Sequence, residues 1–164
     1  MISERLLQAF NEQIEIESSA SHGYLNLAIW CASNGFDGAA KFFFKQSDEE
    51  REHMLKLIHY VIEREGRPIT AAKHGTDHSP APVKDIFDVL HQFYANEQSV
   101  TAAVFKLLKT AEDDGDYNAV NFLQWYVKEQ HEEENQARSL IEKANLIGKE
   151  GPYKYLIDEM VGKS

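Results

Sequence analysis

Glu50 and His53, in the run "SDEEREHMLKL", stand three residues apart on what spacing marks as the buried side of a helix, because Phe43, Ser47, Glu50, His53 or Met54, Leu57 and Val61 recur every three or four positions. An unpaired carboxylate there costs several kcal/mol, on the order of a domain's whole stability margin, so it calls for a counter-charge. Other polar residues interrupt other stripes. Glu17 falls among Phe10, Ile14, Ser21, Tyr24, Ala28 and Cys31; Glu97 falls among Ile86, Leu90, Phe93, Val100, Val104 and Leu107; Gln130 and Glu133 fall among Leu123, Val127, Ala137 and Leu140. Four carboxylates in one apolar layer repel one another, and with desolvation they drive each other toward protonation. A pair of divalent cations removes that conflict. Carboxylate oxygens with one imidazole suit iron or manganese, and the lack of thiolates argues against a closed structural zinc site. Open positions in such a shell leave room for oxygen to bind. Taken alone, Glu50-x-x-His53 reads more readily as a local i, i+3 pair. The specificity lies in all the positions meeting at one level.

The elements that must bring them together are helices. The only prolines are Pro68, Pro80, Pro82 and Pro152, and helical periodicity runs nearly unbroken between them. It predicts helices over about residues 3–33, 36–65, 83–114 and 116–147, then a short amphipathic helix, "PYKYLIDEMV", over 152–161. Tight turns near Asn34-Gly35 and near Gly115 make each long pair an antiparallel hairpin. Between the hairpins, "RPITAAKHGTDHSPAP" has Gly and Pro punctuation and no apolar period, and it could extend about 50 Å. That is enough to run the length of a helix of about 45 Å, making the second and third helices parallel. The expected fold is all-α, a four-helix bundle with one long crossover and a short fifth helix at the C-terminus. His74 and His78 in the crossover read as solvated loop residues.

An offset of eighty residues superposes the hairpins. Gly35 falls on Gly115, Leu27 on Leu107, Phe42 on Phe122, Glu17 on Glu97, Glu49 on Glu129 and Glu52 on Glu132, while Glu50 meets Gln130 and His53 meets Glu133. Counting from each turn tests the level. Glu17 lies 17 residues before Asn34 and Glu50 lies 16 after it; Glu97 lies 17 before Asp114 and Gln130 lies 16 after it. The crossover then sets both polar layers near mid-height, so four acids, a histidine and a glutamine converge.

Bulk composition narrows the function classes. A chain of 164 residues, 43% hydrophobic and 27% charged, suits one domain over 1–164. A formal charge of -10 is the wrong sign for holding phosphate backbones, so no nucleic-acid partner is expected. No stretch approaches the roughly 18 apolar residues of a membrane span, and the first residues lack the order of a signal peptide; no membrane role and a cytoplasmic location are expected. The lone Cys31 excludes an internal disulfide and CxxC metal sites, and fits packing on the first helix.

With these residues in place, the whole chain resembles a bacterial non-haem ferritin: Glu17, Glu50-Arg51-Glu52-His53, Glu97, Gln130-His131-Glu132-Glu133, the crossover and the short fifth helix all match its pattern. Gln130-x-x-Glu133 stands where related di-iron bundles carry a second Glu-x-x-His, which sets the chain apart from bacterioferritins and rubrerythrins. The resemblance implies that Glu17, Glu50 and His53 hold one iron, that Glu50 bridges, and that Glu97 and Glu133 hold a second, with Gln130 positioning oxygen or a water. It implies that Tyr24 hydrogen-bonds the cluster and could donate an electron; a plain core tyrosine would look the same. Trp125 reads as packing. A third iron position would draw on Glu49, Glu129 and Glu132, with Glu133 shared; the alternative is a solvated acidic face. Bacterioferritins bind haem through a methionine directly after the first motif glutamate, and Arg51 in that place implies no haem of that kind.

The activity implied is ferroxidase: oxidation of iron(II) to iron(III) by O2 or H2O2, then storage of ferric oxyhydroxide inside a hollow homo-oligomeric shell, a 24-mer, with the fifth helix around its fourfold axis. The acidic turn "EDDGD" (112–116) reads either as an iron funnel or as helix capping. Two rivals are weaker. A di-iron enzyme acting on organic substrates needs a pocket that this core does not advertise, and a DNA-binding mini-ferritin carries its site between subunits.

Overall fold

The structure is a computed structural model that describes residues 1–70 and 81–164; His74 and His78 lie outside the described residues. Ser3 starts α1 (Glu4–Ser33), its hydroxyl accepting from the Leu6 amide at 3.1 Å. Gly35, at φ 79°, reverses the chain into α2 (Asp37–Glu63), and Gly115, at φ 65°, does the same between α3 (Ile86–Asp113) and α4 (Tyr117–Ile147). Both turns close with the same bond at the offset of eighty: Phe36 N–H donates to Cys31 at 2.9 Å, and Asp116 N–H to Ala111 at 3.0 Å. The hairpin repeat is therefore present in the backbone as well as in the acids.

The third helix begins at Ile86, not near 83. Asp85 takes the cap position and accepts from the Asp88 amide at 2.9 Å, so Val83 and Lys84 stay outside the helix. The fifth helix, α5, spans Tyr153–Gly162. It closes a gap that local sequence leaves open, since Phe36 gives α2 no side-chain cap. Asp158 of α5 supplies it, its two carboxylate oxygens accepting from Gly38 at 3.1 Å and Ala39 at 2.7 Å. Gly38 and Gly162 permit the approach: a Cβ on Gly38 would stand 2.5 Å from the Asp158 carbonyl oxygen.

Side-chain pairs fix the bundle. Ser21 meets Ser47 between α1 and α2, Lys106 meets Glu12 between α1 and α3, and Tyr60 stacks on Phe122 between α2 and α4 with centroids 3.8 Å apart. Each pairing runs early residue against late, so these neighbours are antiparallel and α2 lies parallel to α3. Arg64, at the end of α2, grips Asp116, at the start of α4, through two bonds of 3.1 and 2.8 Å. Two aromatic clusters fill the core on either side of mid-height: Tyr24, Phe42, Phe43 and Phe93 toward α5, and Phe10, Tyr60, Phe122 and Tyr126 toward the far end. The predicted stripes are buried with few exceptions. Met54, Ser21 and Val127 are half-buried, and Tyr126 fills the α4 position expected for Val127.

Candidate metal centre

Between the aromatic clusters lies a polar layer drawn from all four long helices: Glu17 of α1, Glu50 and His53 of α2, Glu97 of α3, Gln130 and Glu133 of α4. Glu17, Glu50 and Glu97 are 0% exposed. One ligand atom each from Glu17, Glu50 and His53 lie within 4.8 Å of one another. His53 Nδ1 and Glu50 Oε2 approach to 3.3 Å, yet without the alignment of a hydrogen bond. Glu97 is held differently. The Tyr24 hydroxyl donates to its Oε1, and Gln130 Nε2 donates to its Oε2 at 3.1 Å while also reaching Thr101 Oγ1 at 3.3 Å.

Which atoms lack partners is the informative pattern. Buried polar atoms are nearly always hydrogen-bonded, but Glu17 Oε2, both oxygens of Glu50, His53 Nδ1 and Glu133 Oε2 have none, and all belong to this layer. Gln13 Nε2 meanwhile occupies Glu17 Oε1 at 2.8 Å, leaving Oε2 as that residue's free oxygen. Gln13 Oε1 and Gln46 Oε1 are the two remaining buried orphans of this kind among the described residues. Unpartnered carboxylate oxygens and an imidazole nitrogen aimed into one apolar layer are a ligand set for hard or borderline divalent cations.

Electrostatics says the same. Burial raises Glu50 to about 8, opposed by the neighbouring Glu17 carboxyl and aided by the charges of Glu97 and Glu133, and burial raises Glu133 to about 8, aided by Glu97 and Glu49. Glu17 is pushed well above the usual carboxylate range by burial and by Glu50, and burial also raises Glu97 against the lowering bonds from Tyr24 and Gln130. Metal-free, the layer carries protons at neutral pH, and cations binding there displace them.

The family model for the ferritin-like domain matches residues 7–147. The chain belongs to the bacterial non-haem ferritin family. It is 36% identical over 162 residues to a probable bacterial non-haem ferritin-like protein of Haemophilus influenzae, covering 99% of this chain and 96% of that one. Against the bacterial non-haem ferritin of Campylobacter jejuni it is 36% identical over 161 residues, 98% of this chain and 95% of that one. Among solved structures, the open pore ferritin of the archaeon Archaeoglobus fulgidus superposes with a TM-score of 0.92 at 32% identity, covering 100% of this chain and 99% of that one. In this ferritin the buried Glu17, Glu50 and His53 cluster fits a di-iron ferroxidase site, and site and family together support iron storage with ferroxidase activity.

Of the acids expected at a third position, this ferritin brings two toward the cluster and leaves one out. Glu129 Oε1 lies 3.9 Å from His53 Nε2, and Glu49 accepts from Gln46 at 2.9 Å; both are half-buried, and both act on Glu133 through their charge. Glu132 is exposed and pairs with Lys128 at 3.6 Å. Trp125 packs edge-on against His53 with centroids 5.2 Å apart, beneath Lys56 Nζ at 3.6 Å. In the acidic turn, Asp116 caps α4 through the Ala119 amide at 3.0 Å, Asp114 accepts from Ser3 at 2.5 Å, and Asp113 pairs with Lys109 at 2.5 Å, so capping and pairing engage three of its four acids.

Four supporting residues escaped the sequence reading: Gln13, Asn96, Thr101 and Tyr126. Gln13 holds Glu17, Asn96 donates to the Tyr24 hydroxyl at 2.7 Å, Thr101 receives Gln130, and the Tyr126 hydroxyl donates to the His53 carbonyl at 2.6 Å. Two of them carried a signal, because Gln13 and Thr101 sit four residues from Glu17 and Glu97, one turn along the same faces.

Proposed function

We propose that this ferritin oxidises iron(II) with O2 or H2O2 at the polar layer and stores the product as ferric oxyhydroxide. The observation that carries it is the coincidence of the unpartnered buried atoms with the ligand set: Glu17 Oε2, both Glu50 oxygens, His53 Nδ1 and Glu133 Oε2. Glu17, Glu50 and His53 hold the first iron, Glu50 bridges, and Glu97 with Glu133 hold the second. Each iron(II) gives up one electron to the oxidant, and hydrolysis of the ferric product releases protons.

The chain's own groups divide the labour. Gln13 and Gln130 each fix one oxygen of a carboxylate by donation, which turns the other oxygen, or a remaining lone pair, toward the cations. Gln130 is set to position oxygen or a water beside the second iron. Glu50, with no amide or hydroxyl donating to either oxygen, is the group able to reach both irons. The aromatic clusters exclude bulk water and strengthen every charge interaction inside the layer. Tyr24 stands beside the second iron as a hydrogen-bond donor and a source of one electron.

Glu49 and Glu129, with Glu133 shared and Glu132 at the exposed rim, make a third iron position. Arg51 in place of an axial methionine speaks for a ferritin without haem. Residues 1–164 form one ferritin-like domain, and assembly into a 24-mer shell is supported by α5, whose Tyr155 and Leu156 are exposed in the single chain. No described helix is long and apolar enough to cross a membrane; with the charge of -10 this supports a cytoplasmic protein with no nucleic-acid partner.

Anaerobic iron(II) titration of metal-free protein, followed by an oxygen pulse read by ultraviolet absorbance and by sizing, tests the proposal. Two or three irons per subunit, fast oxidation abolished in Glu50→Ala, His53→Ala protein, and a very large particle are expected. Fast oxidation from a small oligomer would replace storage with a di-iron enzyme, and no stoichiometric binding would end the iron reading.

A further inference from the structure

Tyr24 is 1% exposed, and its ring is wedged edge-on against Phe93 at 5.1 Å and tilted against Phe43 at 6.3 Å. The freedom left to the side chain is rotation of the O–H bond, which favours the ring plane and so points to one side of the oxygen or the other. Glu97 Oε1 accepts the proton, and Asn96 Nδ2 donates to the hydroxyl oxygen at 2.7 Å. Asn96 is half-buried one residue before Glu97, and with Ser18, His22 and Ser99 it borders a groove on the outer side of α1 and α3.

We propose that Asn96 is a positioning residue for the second iron: by donating its amide to the Tyr24 oxygen it fixes the phenol proton on Glu97. This rests on the reading of Glu97 as an iron ligand. A hydroxyl has one proton to give and accepts on its lone pairs, whereas a side-chain amide nitrogen only donates. With Nδ2 facing the oxygen, no second acceptor competes for the phenol proton, and Glu97 receives one donor per oxygen, from Tyr24 and from Gln130. Its plane is then set before iron arrives, with the remaining lone pairs directed at the layer. The reverse amide orientation would set a carbonyl against a carboxylate for a single proton, so the network itself assigns the amide.

Two variants test this: Asn96→Asp, which keeps the shape and offers only acceptors when ionised, and Asn96→Leu, which removes the polar group. Ultraviolet resonance Raman of the metal-free proteins, each differenced against its Tyr24→Phe counterpart, isolates the Tyr24 doublet. The wild-type doublet is expected to report a phenol that both donates and accepts, and Asn96→Leu to report a donor only. In Asn96→Asp the donation to Glu97 is expected to be divided. In anaerobic iron(II) titrations of the same assembled proteins, the second iron should bind about tenfold more weakly in both variants, with the first within about twofold of wild type. An unchanged doublet in both variants would overturn the hydrogen-bond assignment. A changed doublet with both irons bound as in wild type would overturn the positioning role, and so would equal weakening of both irons together with a lowered melting temperature, which is the mark of a packing residue. If wild-type protein binds no pair of irons, the iron reading fails and the positioning role with it, while the doublet still decides whether Asn96 aims Tyr24.

Discussion

Glu50→Gln should make the metal-free protein more stable at neutral pH while removing its function. Glu50 has a folded-state pKa of about 8 against an ordinary 4.5, the largest cause being burial. Between those values the folded state binds more protons than the unfolded state, so stability falls as pH rises through the window and levels off above the folded value. At pH 7 the unfolded chain gains the free energy of ionising this group over about 2.5 pH units, which at 1.36 kcal/mol per unit is roughly 3 kcal/mol. Glutamine carries no such term, and its amide adds donors facing Glu17 and Glu97, both of which hold raised values of their own. Because the carboxylates of the layer relieve one another, about 3 kcal/mol is a ceiling. Denaturant melts of metal-free wild type and Glu50→Gln at pH 4.5, 6 and 7 should show the variant's advantage growing with pH from near zero, and iron(II) should stabilise wild type alone. A variant that is less stable at pH 7, or whose difference from wild type does not change with pH, would refute the idea that the layer is electrostatically strained without cations.

The other expectations are simpler. Asp158→Ala removes the acceptors for the Gly38 and Ala39 amides and should cost about 1–2 kcal/mol in thermal melts, with α5 the first element to lose amide protection in hydrogen exchange. Gly38→Ala should do comparable damage by steric means, its Cβ meeting the Asp158 carbonyl oxygen at 2.5 Å. Asp116 is held below its ordinary 3.8 by Arg64, so the stability it contributes is full above that value and is lost as pH falls through the lowered one; Asp116→Asn should flatten the acid limb of the unfolding curve. Thr101→Val leaves Gln130 one acceptor fewer and should slow oxygen-dependent iron oxidation severalfold without changing the number of irons bound anaerobically, measured by stopped-flow absorbance.

The helices, the two hairpins and the level of the polar layer were all legible in the sequence, because each rests on a local period or on counting from a glycine turn. Glu17, Glu50, His53, Glu97, Gln130 and Glu133 betrayed themselves by breaking apolar stripes. Glu49, Glu129 and Glu132 are less legible, because they lie beside the stripes, not on them, and a position beside a stripe is decided by the neighbouring helix. In the single chain Glu132 is exposed, 3.6 Å from Lys128, while Glu49 and Glu129 are half-buried. The start of α3 was missed by three residues since Lys84 and Val83 fit a helix as well as they fit an extended lead-in, and only the Asp85 cap distinguishes them. The cap that Asp158 gives α2 spans 119 and 120 positions in the chain, and no window on the sequence connects them.

The pseudo-repeat sets unlike side chains at equivalent positions of the two hairpins. In the first hairpin Glu50 keeps both oxygens free, and the nearest imidazole, His53, is braced by its backbone carbonyl, by the Trp125 edge and by the Glu129 carboxylate at 3.9 Å. In the second hairpin the equivalents are Gln130 and Glu133, and Gln130 spends its amide on Glu97 and Thr101. A second glutamate at position 130 would have added a fifth charge to a layer whose members already stand above their ordinary values, and it could not have donated to Glu97 when ionised. Glutamine lowers the charge and supplies the donor in one step. The result is one adaptable carboxylate, Glu50, facing one rigid carboxylate, Glu97. A site that must take in iron(II), let it change charge, and release it to a mineral needs both: a fixed edge to define the geometry and a free one to follow the metal.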